Sequence, residues 1–275
     1  MENVAVLITC FNRVNTTLTC LNSFYKMNIT EGYQLDVYLV DDQSPDLTGE
    51  IVKEKYPQVN VIEGTGKLYW NGGMRLAWQT AIQTKDYDFY LWLNDDTVLF
   101  PHAFDTIIND YYQLKNDAID SLVLGVFKDP VTKEITYSGR MHGEKLIPNG
   151  NPQECTYVTG NFVLVPKQIY KAIGMLDKHY SHGIGDTDYG YRTVKKGLKC
   201  HVTSKYVGYC KLNRKKKWHS KDFSFRERYK RLLSKTEGNF REYLRFKYVH
   251  FGIFAATMSM INCYTKLFFP PKERI

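Results

Sequence analysis

The chain has 275 residues, 43% of them apolar and 24% charged, with a formal net charge of +8; this globular composition excludes disordered, collagen-like and mucin-like chains. The charge is unevenly placed: residues 1–204 hold 19 Lys and Arg against 24 Asp and Glu, a net of −5, whereas residues 205–275 hold 18 against 5, a net of +13. That split argues against a uniformly basic, nucleic-acid-coating protein and describes a mildly acidic body with a basic, aromatic tail.

In chain order, the first hundred residues alternate strand and helix patterns. Val4-Ala5-Val6-Leu7-Ile8 is a buried-strand run, 4–9, with no basic segment or cleavage site ahead of it. Residues 15–26 carry apolar positions at helical spacing, among them Leu18, Leu21 and Phe24. A strand over 35–40 ends in the turn-forming Asp41-Asp42-Gln43-Ser44-Pro45, and a helix over 47–56 and a short strand over 59–62 follow. After a loop with Gly64 and Gly66, the pattern predicts a helix over 73–84 and a strand over 88–93. This order predicts an α/β fold, a mostly parallel sheet flanked by helices, with ligands at the carboxyl ends of its strands.

Those ends deliver Thr9-Cys10-Phe11-Asn12-Arg13, then Asp41 and Asp42, then Asn94-Asp95-Asp96-Thr97. Carboxylates gathered at one mouth repel one another unless a cation or a donor-rich ligand lies between them. Hard oxygen ligands favour Mg²⁺ or Mn²⁺, shared with substrate phosphates. Each Asp pair also has a plainer reading as a turn or a helix cap. Neither GxGxxG after the first strand nor GxxxxGK[ST] occurs, which argues against a dinucleotide dehydrogenase and a P-loop NTPase. Six cysteines, Cys10, Cys20, Cys155, Cys200, Cys210 and Cys263, form no CxxC pair and read as reduced thiols of a cytosolic protein.

At this point the chain resembles the family 2 glycosyltransferases, inverting enzymes of the GT-A fold. The resemblance rests on residues 4–13, Val40-Asp41-Asp42-Gln43-Ser44, the Trp70-Asn71-Gly72-Gly73 loop, Leu93-Asn94-Asp95-Asp96-Thr97 and the run from Gly185 to Arg192. It spans roughly residues 3–210, and it looks most like the subgroup of rhamnosyltransferases and other polysaccharide-assembly enzymes. It implies that Thr9, Phe11 and Arg13 line a nucleotide pocket, that Asp42 binds a pyrimidine, and that Asn94 and Asp95 belong to the donor site. Asp96 would hold Mg²⁺ or Mn²⁺ on the diphosphate, and Gly72 and Gly73 would approach the donor, with Arg75 behind them. Asp186 would be the general base that takes the acceptor proton, with Asp188 as rival. Gly185 stands where the family has Glu, and His182 sits in the loop before it. His219 is kept as a metal-ligand candidate; Cys210 would be a poor ligand for Mg²⁺. The turn Thr159-Gly160-Asn161-Phe162 would lie beside sugar and acceptor.

The tail reads as a second unit, 223–275, after a catalytic domain of 1–222. It carries Tyr229, Leu232, Leu233, Phe240, Tyr243 and Leu244 at helical spacing among Arg226, Arg228, Lys230, Arg231, Arg241 and Arg245, and residues 248–265 hold no charged residue. A basic amphipathic helix with aromatics predicts peripheral attachment to a membrane surface, ahead of a span or a tail packed on the enzyme. The expected activity is transfer of a sugar from a UDP- or dTDP-linked donor to a hydroxyl of a lipid-linked or growing glycan. The expected setting is O-antigen, capsule or related synthesis on the cytoplasmic face of a bacterial membrane. Nucleic acid is not an expected partner, and a homodimer is allowed. The competing readings are a sugar-nucleotide pyrophosphorylase and a non-catalytic scaffold of the same fold.

Overall fold

β1 (Glu2–Cys10) is apolar on both faces, and from Val4 to Cys10 every residue is buried, which a strand permits only when helices cover the sheet on both sides. In the computed structural model, which describes residues 1–212 and 216–271, β1 is followed by α1 (Val14–Tyr25), β2 (Tyr33–Asp41), α2 (Thr48–Lys55), β3 (Asn60–Glu63), α3 (Tyr69–Thr84) and β4 (Phe89–Leu93). Next come β5 (Val98–Leu99), α4 (Ala103–Asn116), β6 (Ser121–Lys128), a hairpin of β7 (Arg140–Met141) and β8 (Glu144–Lys145), and β9 (Gln153–Cys155). β10 (Phe162–Pro166), α5 (Lys167–Ile173), α6 (Gly185–Lys195), β11 (Lys199–Tyr209), α7 (Phe225–Leu233) and α8 (Phe240–Phe268) complete the described elements.

The main sheet has the order β3-β2-β1-β4-β10-β6-β11-β5. β3, β2, β1 and β4 are mutually parallel, β10 runs antiparallel between β4 and β6, and β11 is parallel to β6. One face packs Val6, Ile8 and Leu91 with Leu21, Phe24, Phe104 and Ile107 of α1 and α4. The other packs Leu7, Val40 and Trp92 with Met74 and Trp78 of α3 and Tyr189 of α6. The arrangement is the expected α/β sandwich of a mostly parallel sheet, and it brings the carboxyl ends of β1, β2 and β4 to one edge.

Two boundaries differ from the sequence reading. α3 begins at Tyr69, so Trp70-Asn71-Gly72-Gly73 is the helix's first turn instead of a loop before it. No local side chain caps it; Asp42, far back in the sequence, accepts the Leu68 and Tyr69 N–H groups at 2.8 and 3.1 Å, a long-range equivalent of an N-cap carboxylate.

The tail is the second difference. α8 is two helices joined at Gly252, whose φ of +84° is left-handed backbone that glycine adopts at little cost. The distal half folds back, so that Tyr264 meets Phe240 at 5.6 Å between ring centroids. Leu232 of α7 is buried with Cys263 and Leu267 in this small core. The uncharged stretch 248–265 is thus divided by a hinge, and among the described residues no helix is long and apolar enough to cross a membrane. The proximal half, 240–251, packs on the body, the arrangement that the sequence reading ranked behind surface attachment. Contacts cross the 222/223 boundary, among them Glu242 with Ser181 and His250 with Asp188.

Candidate active site

The loop after β1 buckles at Asn12, which has φ +53° and donates its N–H to Ser44 Oγ at 2.9 Å. Asn tolerates that left-handed conformation better than most residues. The turn leaves the Phe11 ring 51% exposed at the mouth and aims Arg13 at the acidic pair after β4. The Arg13 guanidinium lies 3.1 Å from Asp95 and 3.6 Å from Asp96. Asp95 is buried and also accepts from Thr17 Oγ1 at 3.2 Å. Burial, opposed by Arg13 and reinforced by Asp96, pushes its carboxyl up to about 7. Asp96 has a side chain 38% exposed and is the member of the pair open to a ligand.

The second chemical centre is Asp186, in the first turn of α6. Its oxygens accept the Thr187 N–H at 2.7 Å and the Gly160 N–H at 2.9 Å. Burial outweighs these bonds and raises the carboxyl to about 6, so at neutral pH it is ionised yet basic enough to accept a proton. Asp188 is fully engaged elsewhere: it is 1% exposed, and Arg192 Nε and His250 Nε2 donate to it at 2.7 and 2.8 Å. The rival base is therefore sealed from any acceptor.

One turn joins the two centres. Asn161 accepts the Asn94 N–H at 2.9 Å on the carbonyl beside the acidic pair, while the preceding Gly160 donates to Asp186. Gly160 is packed so closely that a Cβ there would stand 2.5 Å from the Trp70 ring. Trp70 Nε1 in turn donates to Asn94 Oδ1 at 2.7 Å, so the indole packs on Gly160 and is tied to the residue before the acidic pair. Sequence reasoning had the Trp70 motif and the 159–162 turn but gave no role to Trp70, Asn71 or Gly160. The signal available was the bulky-polar-glycine order of the motif.

Several expected donor residues have other partners. Asp42 is 5% exposed and accepts from four backbone N–H groups, those of Thr65, Gly66, Leu68 and Tyr69. Four such bonds match the lone-pair sites of a carboxylate, and through them Asp42 holds the loop over the mouth. Arg75 donates to the Leu176 carbonyl, and Asn94 is held by Trp70. Gly73 serves packing: a Cβ would come 2.1 Å from Thr9 Oγ1, so Thr9 is covered by α3 and 9% exposed.

Gly185 has a similar explanation. A Cβ there would stand 1.9 Å from Asn71 Oδ1, and Asn71 is completely buried, donating to the Asp177 and Tyr180 carbonyls at 2.9 and 2.8 Å. The Asn71 amide fills the space that a longer side chain at 185 would need, and it ties α3 to the loop that leads into α6.

Among the described residues no three His, Cys, Asp or Glu side chains converge on a metal-sized space. Cys210 sits 3.7 Å from Asp96, but burial and that neighbour push its thiol up, which keeps it protonated; neither it nor His219 completes a ligand set. What fits is the sparse arrangement typical of Mg²⁺, one exposed carboxylate with substrate phosphates as the other ligands.

The family model for glycosyl transferase family 2 matches residues 5–174, more than half of the chain. No curated protein matches the sequence. Among solved structures, S. aureus TarS 1–349 in complex with UDP is similar at a TM-score of 0.59 and 14% identity, covering 97% of this chain and 80% of that one. The same fragment in complex with UDP-GlcNAc gives 0.57 and 15%, covering 90% and 73%. Mannosyltransferase PcManGT from Pyrobaculum calidifontis, in complex with GDP-Man and Mn²⁺, gives 0.56 and 16%, covering 95% and 75%. Against the longer TarS structure the match spans only 37% of that chain.

Proposed function

Since this chain belongs to glycosyl transferase family 2, we propose that it is an inverting transferase that moves a sugar from a UDP- or dTDP-linked donor to an acceptor hydroxyl, with Asp186 as the base. The observation that carries this reading is the joining of two unlike carboxylate centres through the Asn94–Asn161 and Gly160–Asp186 hydrogen bonds. Inversion by direct displacement needs a base on the acceptor side and charge neutralisation on the leaving-group side, held at a fixed separation.

On the leaving-group side, Asp96 would hold Mg²⁺ or Mn²⁺ together with the donor diphosphate, and the ion would offset the charge that builds on the departing nucleotide. Mn²⁺ accompanies GDP-Man in the mannosyltransferase structure. Arg13 neutralises Asp95, leaving Asp96 as the open carboxylate. Phe11, exposed beside them, offers a ring face to the nucleobase. On the acceptor side, Asp186 takes the hydroxyl proton as oxygen attacks the anomeric carbon. The Gly160 and Thr187 N–H groups fix its oxygens.

The acceptor proposed is a lipid-linked or growing cell-surface glycan, with the enzyme peripheral on the inner face of a bacterial membrane. The distal arm supports this: Ile253, Phe254 and Phe269 are 69, 78 and 77% exposed, and exposed Arg226, Lys230 and Arg241 lie on the same basic arm. Apolar side chains with surrounding positive charge suit an anionic lipid surface. The test is a panel of nucleotide sugars assayed for transfer to membrane-extracted lipid acceptors, with and without Mg²⁺ or Mn²⁺. Turnover with a UDP- or dTDP-sugar supports the proposal. Turnover confined to a GDP-sugar would overturn the donor assignment, and no transfer with any donor would overturn the proposal itself.

A further inference from the structure

His250 interrupts an apolar stretch in the sequence, and Glu242 is an isolated acid in a basic one. In the structure both are turned inward, onto the segment that carries Asp186. The His250 side chain is completely buried and donates from Nε2 to Asp188 at 2.8 Å. Its ring packs against Tyr191 and Phe246 at 5.2 and 4.8 Å between centroids. Glu242 accepts both the N–H and the hydroxyl of Ser181, each at 2.7 Å, and is itself held by Asn239 Nδ2 at 2.7 Å. Ser181 is gripped from the other side as well, because its carbonyl accepts the Asn71 N–H at 3.0 Å. Lys195 Nζ reaches the Val249 carbonyl at 3.0 Å, and Arg245 lies 3.6 Å from Asp177.

Residues two apart on a helix point to different sides. Asp186 therefore faces Gly160 and the reaction, while Asp188 faces away from it, to the arm. Whatever holds Asp188 fixes the rotation of α6 about its axis, and with it the direction of the Asp186 carboxylate.

We infer that His250 and Glu242 are positioning residues: the proximal half of the arm, 240–251, sets the orientation of the base helix from behind, so the catalytic unit extends through residue 251. This rests on the reading of Asp186 as the base. Gly252 then marks the division, with positioning contacts before it and the exposed apolar half after it. His250 pairs with a carboxylate that accepts from Arg192 as well, so removing its N–H leaves Asp188 half-satisfied and free to turn toward Arg192.

The test uses the full chain with His250→Phe, which keeps a ring but no donor, His250→Gln, which keeps an N–H donor, and Glu242→Gln, which offers Ser181 one acceptor instead of two. A misplaced base costs the chemical step and leaves donor binding intact, so kcat of His250→Phe is expected to fall by about tenfold or more. Donor Kd should stay within about twofold, and Glu242→Gln should show a smaller loss of the same kind. The acidic limb of the kcat–pH profile, expected near 6 in the wild type from the buried Asp186 carboxyl, should move up as the Gly160 and Thr187 bonds to Asp186 loosen. His250→Gln should recover most of kcat. A loss that follows only the folded fraction, with an unmoved limb, or a Gln variant no better than Phe, would overturn the inference. An active Asp186→Asn enzyme would instead overturn the base assignment beneath it, and an inactive Asp186→Asn beside a normal His250→Phe would overturn the inference alone. If His250→Phe does not fold, Glu242→Gln decides on the same readouts.

Discussion

Asp186→Asn separates what the carboxylate costs the fold from what it contributes to chemistry. Burial raises the Asp186 carboxyl from its ordinary 3.8 to about 6. At about 1.4 kcal/mol per unit, keeping it ionised at pH 8 costs the folded state at most about 3 kcal/mol. Asn removes that cost but points its NH₂ at one of the two N–H groups, Gly160 or Thr187, that now donate to oxygen, which costs about 1–2 kcal/mol. The variant should therefore be more stable than the wild type by about 1 kcal/mol at pH 8. The burden of the buried charge starts to fall as the pH drops through the folded value of about 6 and is gone only below the unfolded 3.8; at pH 5 about 1.6 kcal/mol of it remains, which the lost hydrogen bond offsets, so the two proteins should be close to equal there and the variant the less stable below about pH 4. Transfer should drop by roughly 10²–10⁴-fold in kcat, as expected for a lost general base. The assays are denaturant midpoints at the two pH values and initial rates at saturating donor. Equal destabilisation at both pH values would refute the picture of a charge held against burial, and near-normal kcat would refute the role in proton transfer.

Arg13→Met leaves Asp95 buried with only Thr17 for support, so melting at pH 8 should show a loss of about 1–2 kcal/mol, discounted for the exposed guanidinium; at pH 5, where folded Asp95 is protonated in both proteins, the loss should shrink to the smaller part owed to the Asp96 contact. Gly185→Ala drives a Cβ into Asn71 Oδ1 and should lower both stability and kcat, yet cost less in an Asn71→Ala background; strict additivity of the two in a double-mutant cycle would show that the contact is not the cause. Replacing Ile253 and Phe254 by Glu should reduce co-sedimentation with vesicles rich in anionic lipid. An unchanged bound fraction would remove the basis for membrane attachment.

The early strands were legible because two-sided burial of a parallel sheet writes continuous apolar runs, as in Val4–Ile8, and the acidic ends of β2 and β4 followed from topology. The start of α3 was not legible, since its cap is Asp42, 26 residues before Leu68, and cap rules read only local sequence. Asp42 shows the limit of reading a site from residue type: an Asp at a strand end can serve the backbone or a ligand, and its hold on four backbone N–H groups came only with the structure. Asp186 was singled out by the family resemblance of its run to Arg192, whereas the contacts of Trp70, Asn71 and Gly160 join three distant segments and leave no local pattern. The turn in the tail was not legible for a physical reason: hydropathy sees an uncharged stretch from 248 to 265, but a left-handed glycine at 252 breaks it and folds the distal half back.

The central claim is direct displacement with Asp186 as base, and the anomeric configuration of the product tests it most directly. With the donor sugar identified from the panel, the glycoside formed by the full chain can be followed by NMR from the first turnovers, before any mutarotation of released sugar. The account predicts a linkage inverted relative to the donor's sugar–phosphate bond, formed by the wild type and lost in Asp186→Asn. A product that keeps the donor's configuration would contradict it.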